Sequence, residues 1–197
     1  MKQERSQENK ILDAAIQCIE TVGLQAVTIR KIAEIAGVNS AAINYYFRSK
    51  DALMERVLAH STEAAFGDWE RIITDAATPP AQRLRSILLE AIEGAQKFPN
   101  LVRAHLHGPM TEGNYDTVFA RRYRAFMIMA RDALAREFPA RKAADLELRL
   151  VSLFSAAFGM ALLRGLFGEL EGAALDKPES RERYLDLLLT QFQGGEP

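Results

Sequence analysis

The sequence predicts an all-α protein of two parts, an N-terminal three-helix bundle containing a helix-turn-helix and a larger C-terminal helical bundle. Three observations carry that expectation. Apolar residues recur at helical spacing in almost every segment, and no stretch alternates with period two for long enough to make a strand. Residues that cap helices, and glycines and prolines that end them, punctuate the pattern. The helices so marked are short up to about residue 48 and longer beyond it.

In chain order, Ile11, Ala15, Cys18, Ile19 and Val22 share one face of a first helix over about Glu8–Thr21, which Gly23 stops. Thr28 is the natural N-cap of a short second helix with inner face Ile29, Ile32, Ala33 and Ala36, and Gly37 closes it with the positive φ of a tight turn. Asn39 caps a third short helix through Phe47. Ser49 caps a fourth, with Asp51 in the first turn, where the helix dipole favours an acid. Leu53, Val57, Ser61, Ala64 and Ala65 carry that fourth helix onward. Thr78-Pro79-Pro80 is a break, after which Leu84, Ile87, Leu88, Ala91 and Ala95 make a fifth helix ending near Phe98-Pro99. Gly108-Pro109 and Gly113 bracket a loop. Two longer helices follow, about Tyr115–Phe138 and Ala140–Leu170, with Pro139 between them. A last helix covers about Glu179–Phe192, and Gly194-Gly195-Glu196-Pro197 is expected to fray.

The chain has 197 residues, 48% of them hydrophobic, with 25 basic and 26 acidic side chains, which excludes both a disordered chain and a polycation. One cysteine, Cys18, excludes a disulfide framework or a cysteine-based zinc site, and it reads as a small buried hydrophobe on the first helix. The polar start MKQERSQENK contains no apolar signal region, and no run approaches a membrane span, so a soluble cytoplasmic protein with no membrane partner is expected. His105 and His107, two apart on a helix, would point in different directions, and they are read as pocket or core histidines rather than metal ligands. Phosphate loops, dinucleotide fingerprints, nucleophile elbows and His-Glu-x-x-His are absent, so no enzyme, metal or cofactor is expected.

The net charge of −1 hides an uneven distribution: residues 28–50 carry Arg30, Lys31, Arg48 and Lys50 against Glu34 alone. That stretch, TIRKIAEIAGVNSAAINYYFRSK, has the composition of a DNA-reading helix-turn-helix, and the excess positive charge suits phosphate. Ile32, Ala33, Ala36, Val38, Ile43 and Phe47 would point inward, leaving Ser40, Ala41, Asn44 and Tyr45 outward. Small residues at 40–42 let the front of the third helix approach a groove floor. A helical hairpin in some other bundle is the competing reading, and Tyr45 and Tyr46 could be core aromatics. Three consecutive residues cannot all face inward beside Phe47, so at least one tyrosine is exposed.

ILDAAIQCIETVGLQAVTIRKIAEIAGV together with Ile43-Asn44-Tyr45-Tyr46-Phe47-Arg48-Ser49-Lys50-Asp51-Ala52-Leu53 resembles the TetR/AcrR family of bacterial transcriptional regulators, over about residues 10–56. The resemblance implies residues 1–48 as a DNA-binding domain and residues 49–197 as an effector-binding and dimerisation domain, linked by the fourth helix. It implies that Thr28 holds a phosphate and that Arg30 reaches phosphate or a base edge. Ser40, Ala41 and Asn44 would face bases, Tyr45 and Tyr46 would sit against backbone and sugar, and Lys50 would hold a second phosphate. Many members have Tyr where Asn44 stands, so the base preference there is this chain's own.

The second half is rich in bulky residues, Phe66, Trp69, Met110, Phe119, Tyr123, Phe126, Met127, Met129, Phe154, Phe158 and Met160, most of them expected in a core. The resemblance adds a cavity for a small apolar or amphipathic effector, with Phe126, Met127 and Phe158 among its apolar candidates and Arg103, His105, His107, Tyr123 and Arg164 as polar ones. Ser155-Ala156-Ala157 and Gly159 permit close helix approach, and Leu185, Leu187, Leu188, Leu189 and Phe192 exceed what one face needs, which suggests a homodimer through the last two helices. The function implied is a ligand-responsive regulator, a repressor on a pseudo-palindromic double-stranded operator. The alternative is a DNA-binding protein of the same fold controlled by a protein partner, with no small-molecule effector.

Overall fold

The computed structural model describes residues 2–167, 169–170 and 173–194, with side chains from residue 7 onward. Every regular element among them is helical. These are α1 (Lys2–Val22), a 3₁₀ turn (Leu24–Ala26), α2 (Ile29–Ala36), α3 (Ser40–Phe47), α4 (Lys50–Ile73) and α5 (Pro80–Lys97). There follow α6 (Pro99–His107), a π-helical turn (Gly108–Glu112), α7 (Val118–Ala135), α8 (Ala143–Leu162), α9 (Arg164–Phe167) and α10 (Pro178–Gln193). None is long and apolar enough to cross a membrane.

The chain forms two compact units, Met1–Ala65 with Phe98–Arg122, and Phe66–Lys97 with Tyr123–Pro197. They do not follow the boundary expected at residue 48, because the first sixteen residues of α4 and the segment from α6 to the start of α7 pack with α1, α2 and α3. In the first unit, Ile11, Ala15, Cys18 and Ile19 of α1 meet Ile32 and Ala36 of α2, Ile43 and Phe47 of α3, and Leu53 and Val57 of α4. Leu101 and Ala104 of α6 belong to the same core.

The second unit is built around rings. Trp69 lies 5.0 Å from Phe66, 5.6 Å from Phe126 and 6.0 Å from Phe154, measured between centroids, in the edge-on and tilted arrangements aromatic pairs prefer. Arg83, 2% exposed, donates to the Ile73 carbonyl at 2.7 Å and pairs with Glu137, so a buried guanidinium holds the end of α4. Arg141 and Arg149 donate to the carbonyls of Phe192 and its neighbours, which satisfies backbone acceptors left free where α10 ends.

Several expectations need correction. Pro99 is not only a stop: it occupies the first turn of α6, where its missing N–H costs nothing. The segment between Gly108 and Gly113 is a π-helical turn rather than an irregular loop. Among the described residues the helix expected over 140–170 ends at Leu162 and is followed by the single turn α9, and α7 is shorter than expected at both ends. On α4, Ala64 and Ala65 are exposed, while Met54 and Thr62 are buried. Met110 is exposed on the π-helical turn rather than in a core. Leu185, Leu188, Leu189 and Phe192 are already buried by α5 and α8, so Leu187 is the one apolar side chain of those five that α10 leaves outside. Of the tail expected to fray, residues 195–197 lie outside the described residues.

Candidate nucleic-acid interface

Local chemistry fixes the start of each helix around the reading surface. Thr28 Oγ1 accepts from the Lys31 N–H at 3.2 Å, Asn39 Oδ1 from Ala42 at 2.7 Å and Ser49 Oγ from Ala52 at 3.1 Å. Each is an N-cap taking up one of the donors that a helix start leaves free. Gly37 adopts φ 63° and ψ 38°, its N–H bonds to the Glu34 carbonyl, and the Val38 N–H bonds to the Ala33 carbonyl at 3.0 Å. This paired closure is a Schellman motif, and it sets the turn between α2 and α3.

α3 is eight residues long, and its two sides differ in kind. Ile43 and Phe47, one helical turn apart, are buried, and Ala42 and Tyr46 are half-buried. Ser40, Ala41, Asn44 and Tyr45 are exposed, Tyr45 by 78%. The Tyr46 ring meets Tyr45 edge-on at 5.3 Å, so the inner tyrosine supports the outer one. Arg30, Lys31 and Arg48 are exposed and Lys50 is half-buried. The structure therefore brings all eight expected DNA-facing residues, Thr28, Arg30, Ser40, Ala41, Asn44, Tyr45, Tyr46 and Lys50, into the stretch around this one helix-turn-helix. Arg48, one of the basic residues counted in this stretch, takes φ 30° at the joint between α3 and α4.

Cys18 lies beneath this surface at 1% exposure, and burial pushes its thiol up, against weaker opposing pulls from the Thr28 backbone and from Lys31 and Lys50. A buried, protonated thiol is inert packing.

The candidate effector residues fall in different places. Arg103, His105 and His107 lie on α6 in the first unit. Arg103 is exposed and donates to Asn100, while His107 lies near Thr111 and Glu112 of the π-helical turn. His105 is buried, with Nε2 3.0 Å from Ser61 Oγ and Nδ1 3.5 Å from Thr62 Oγ1, and it stacks on Phe119. Burial pushes its imidazole down to about 4, so the ring is neutral. Tyr123, Phe126, Met127, Phe158 and Arg164 lie in the second unit. Tyr123 and Phe158 are 6.5 Å apart and both contact the ring cluster, Phe126 is wholly inside it, Met127 is half-buried and Arg164 is exposed on α9. Burial pushes the Tyr123 phenol up to about 12, which keeps it neutral.

The family model described as bacterial regulatory proteins, tetR family, matches residues 11–57, the stretch that holds α2, α3 and their caps. A transcriptional regulator named BetI from Burkholderia cenocepacia is 26% identical over 186 residues, covering 91% of this chain and 92% of its own. The helix-turn-helix segment is that of the tetR family. A second relative, the transcriptional repressor KstR2 of Mycolicibacterium smegmatis, is 31% identical over 94 residues, covering 48% of this chain and 45% of its own. The fold extends beyond the matched segment: the regulator FadR of Bacillus subtilis, solved in complex with stearoyl-CoA, superposes with a TM-score of 0.66 at 16% identity, covering 92% of this chain and 97% of that one. The matched family and these relatives are transcriptional regulators rather than enzymes.

Proposed function

We propose that this protein is a repressor that reads a pseudo-palindromic operator as a homodimer and releases it when a small apolar or amphipathic effector binds in its C-terminal half. One observation carries the DNA reading: α3 keeps Ile43 and Phe47 in the core and turns Ser40, Ala41, Asn44 and Tyr45 to solvent beside a cluster of basic side chains. In this reading Thr28 and the start of α2 hold one phosphate and Lys50 another, while Arg30 reaches phosphate or a base edge. Ser40, Ala41 and Asn44 face bases, and the Asn44 amide can pair bidentately with adenine. Tyr45 and Tyr46 lie along sugar and backbone. Residues 1–48 do the reading and residues 49–197 sense and dimerise, with α4 running from one to the other.

Dimerisation through α8 and α10 is supported by Leu148 and Val151 on α8 and Leu187 on α10, apolar side chains left in water by the single chain. For the effector we put forward Tyr123, Phe126, Met127 and Phe158, with Arg164 as the charged partner. An acyl-CoA bound by a protein of this fold supports an amphipathic class. Whatever its identity, the effector can shift the protein between states only by its differential affinity for them.

Selection of bound duplexes from a random library, followed by salt-dependent binding to the enriched sequence, tests the reading. Asn44→Ala is expected to relax preference at one base position per half-site, and Tyr46→Ala to weaken all duplexes alike. Removing the Lys50 charge should reduce the slope of log affinity against log salt by about 1. Selection that enriches no sequence, with every variant binding as the wild type does, refutes the reading.

A further inference from the structure

We infer that Glu20 is a positioning residue for DNA binding, tying α6 to the helices that carry the reading face; this rests on the DNA reading proposed above. α6 opens Phe98-Pro99-Asn100-Leu101, and neither of its first two residues solves the usual problem of a helix start. Phe98 at the N-cap offers no side-chain acceptor, and Pro99 has no N–H. The N–H groups of Asn100 and Leu101 remain, and both reach a carboxylate on the last turns of α1: Glu20 Oε2 accepts from Asn100 at 3.0 Å and from Leu101 at 3.2 Å. Asn100 Nδ2 in turn donates to the Glu20 backbone carbonyl at 2.9 Å, one of the acceptors the end of α1 leaves free.

Two helices 80 residues apart in sequence therefore cap each other. The negative carboxylate also faces the positive end of the α6 dipole, and its partly buried setting strengthens these charge-assisted bonds. α6 is held near its other end as well, where His105 meets Ser61 of α4, and along its length, where Leu101 and Ala104 enter the core that contains Ile43 and Phe47. α1 packs directly on α2. A displacement of α6 must either break the reciprocal cap or move α1, and with it the turn from α2 into α3. DNA bound at α3 is accordingly felt at the first turn of α6.

Residue-resolved hydrogen exchange on the full chain, with and without the enriched duplex, tests this. In the wild type the duplex slows exchange at Asn100 and Leu101 as well as in α3. Glu20→Ala is expected to speed exchange at those two amides about tenfold without DNA, the factor that corresponds to a cap worth about 1.4 kcal/mol. It also abolishes their slowing by the duplex, although α3 still responds. A cap with a purely local role would change the exchange rate but leave the response to DNA in place. Glu20→Gln keeps the shape and one acceptor without the charge, is expected to fall between, and gives the measurement if Glu20→Ala does not fold. The inference is overturned if wild-type α6 ignores the duplex while α3 responds, or if the response survives in both variants. A duplex that slows nothing in wild-type α3 refutes the DNA reading itself, and this inference with it.

Discussion

Lowering the pH from neutrality to about 5 should weaken the fold through His105. The ring is buried against Ser61, Thr62 and Phe119, and burial alone pushes its imidazole from 6.5 to about 4. The unfolded chain takes up this proton at about its ordinary value while the folded chain refuses it, so stability is full above about 6.5 and declines as the pH falls toward 4. Each unit of difference is worth about 1.4 kcal/mol, which gives about 2 kcal/mol lost at pH 5 and about 3 kcal/mol once both states are protonated. Urea unfolding of the wild type and of His105→Gln at several pH values isolates the effect, because every other side chain is common to both proteins and its contribution largely cancels in the difference. Stability curves that stay parallel from pH 7 to about 5 would refute the argument, as would a directly measured His105 titration in the folded protein near its ordinary value.

Arg83→Ala strands the Ile73 carbonyl and Glu137 without their buried partner and should cost about 3 kcal/mol in urea unfolding; a loss below about 1 kcal/mol means the guanidinium is dispensable. Gly37→Ala should lower stability by about 1 kcal/mol through the positive φ alone. The nearest atom to the added Cβ is the Lys10 Nζ at 4.0 Å, so a much larger loss in a thermal melt would point to steric conflict instead. Val151→Glu combined with Leu187→Glu should yield monomers in sedimentation at micromolar concentration, whereas a surviving dimer moves the interface away from α8 and α10.

What the sequence disclosed about the reading surface, it disclosed because the causes are local. Thr28, Asn39 and Ser49 each bond an N–H three residues on, and Gly37 closes a turn within its own segment, so a few neighbouring letters hold the whole interaction. The two sides of α3 were legible for the same reason, since Ile43 and Phe47 differ in chemistry from Ser40, Asn44 and Tyr45. The roles of Glu20 and Arg83 were invisible: Asn100 lies 80 residues from the one and Glu137 54 residues from the other, and a polar side chain inside a core leaves no periodic mark. Where α6 begins is not legible, because Pro99 serves equally as the end of one helix and the start of the next. The leucines of α10 were misassigned because apolarity alone does not say which side a neighbouring helix will cover. That side is decided by α5 and α8.

The membership of Leu101 and Ala104 in the core of the first unit bears on how regulators of this kind are recombined. α2 and α3 are eight residues each, too short to hold helical form alone, and they borrow their shape from α1, α4 and α6. A chimera that grafted residues 1–65 onto a foreign sensor would transplant the letters of the reading head and leave behind part of its foundation. It would also strip Glu20 of the helix it caps. Exchange of DNA-binding heads between such proteins is therefore discontinuous in sequence: a working graft carries the N-terminal segment together with the turns of α6 that complete it.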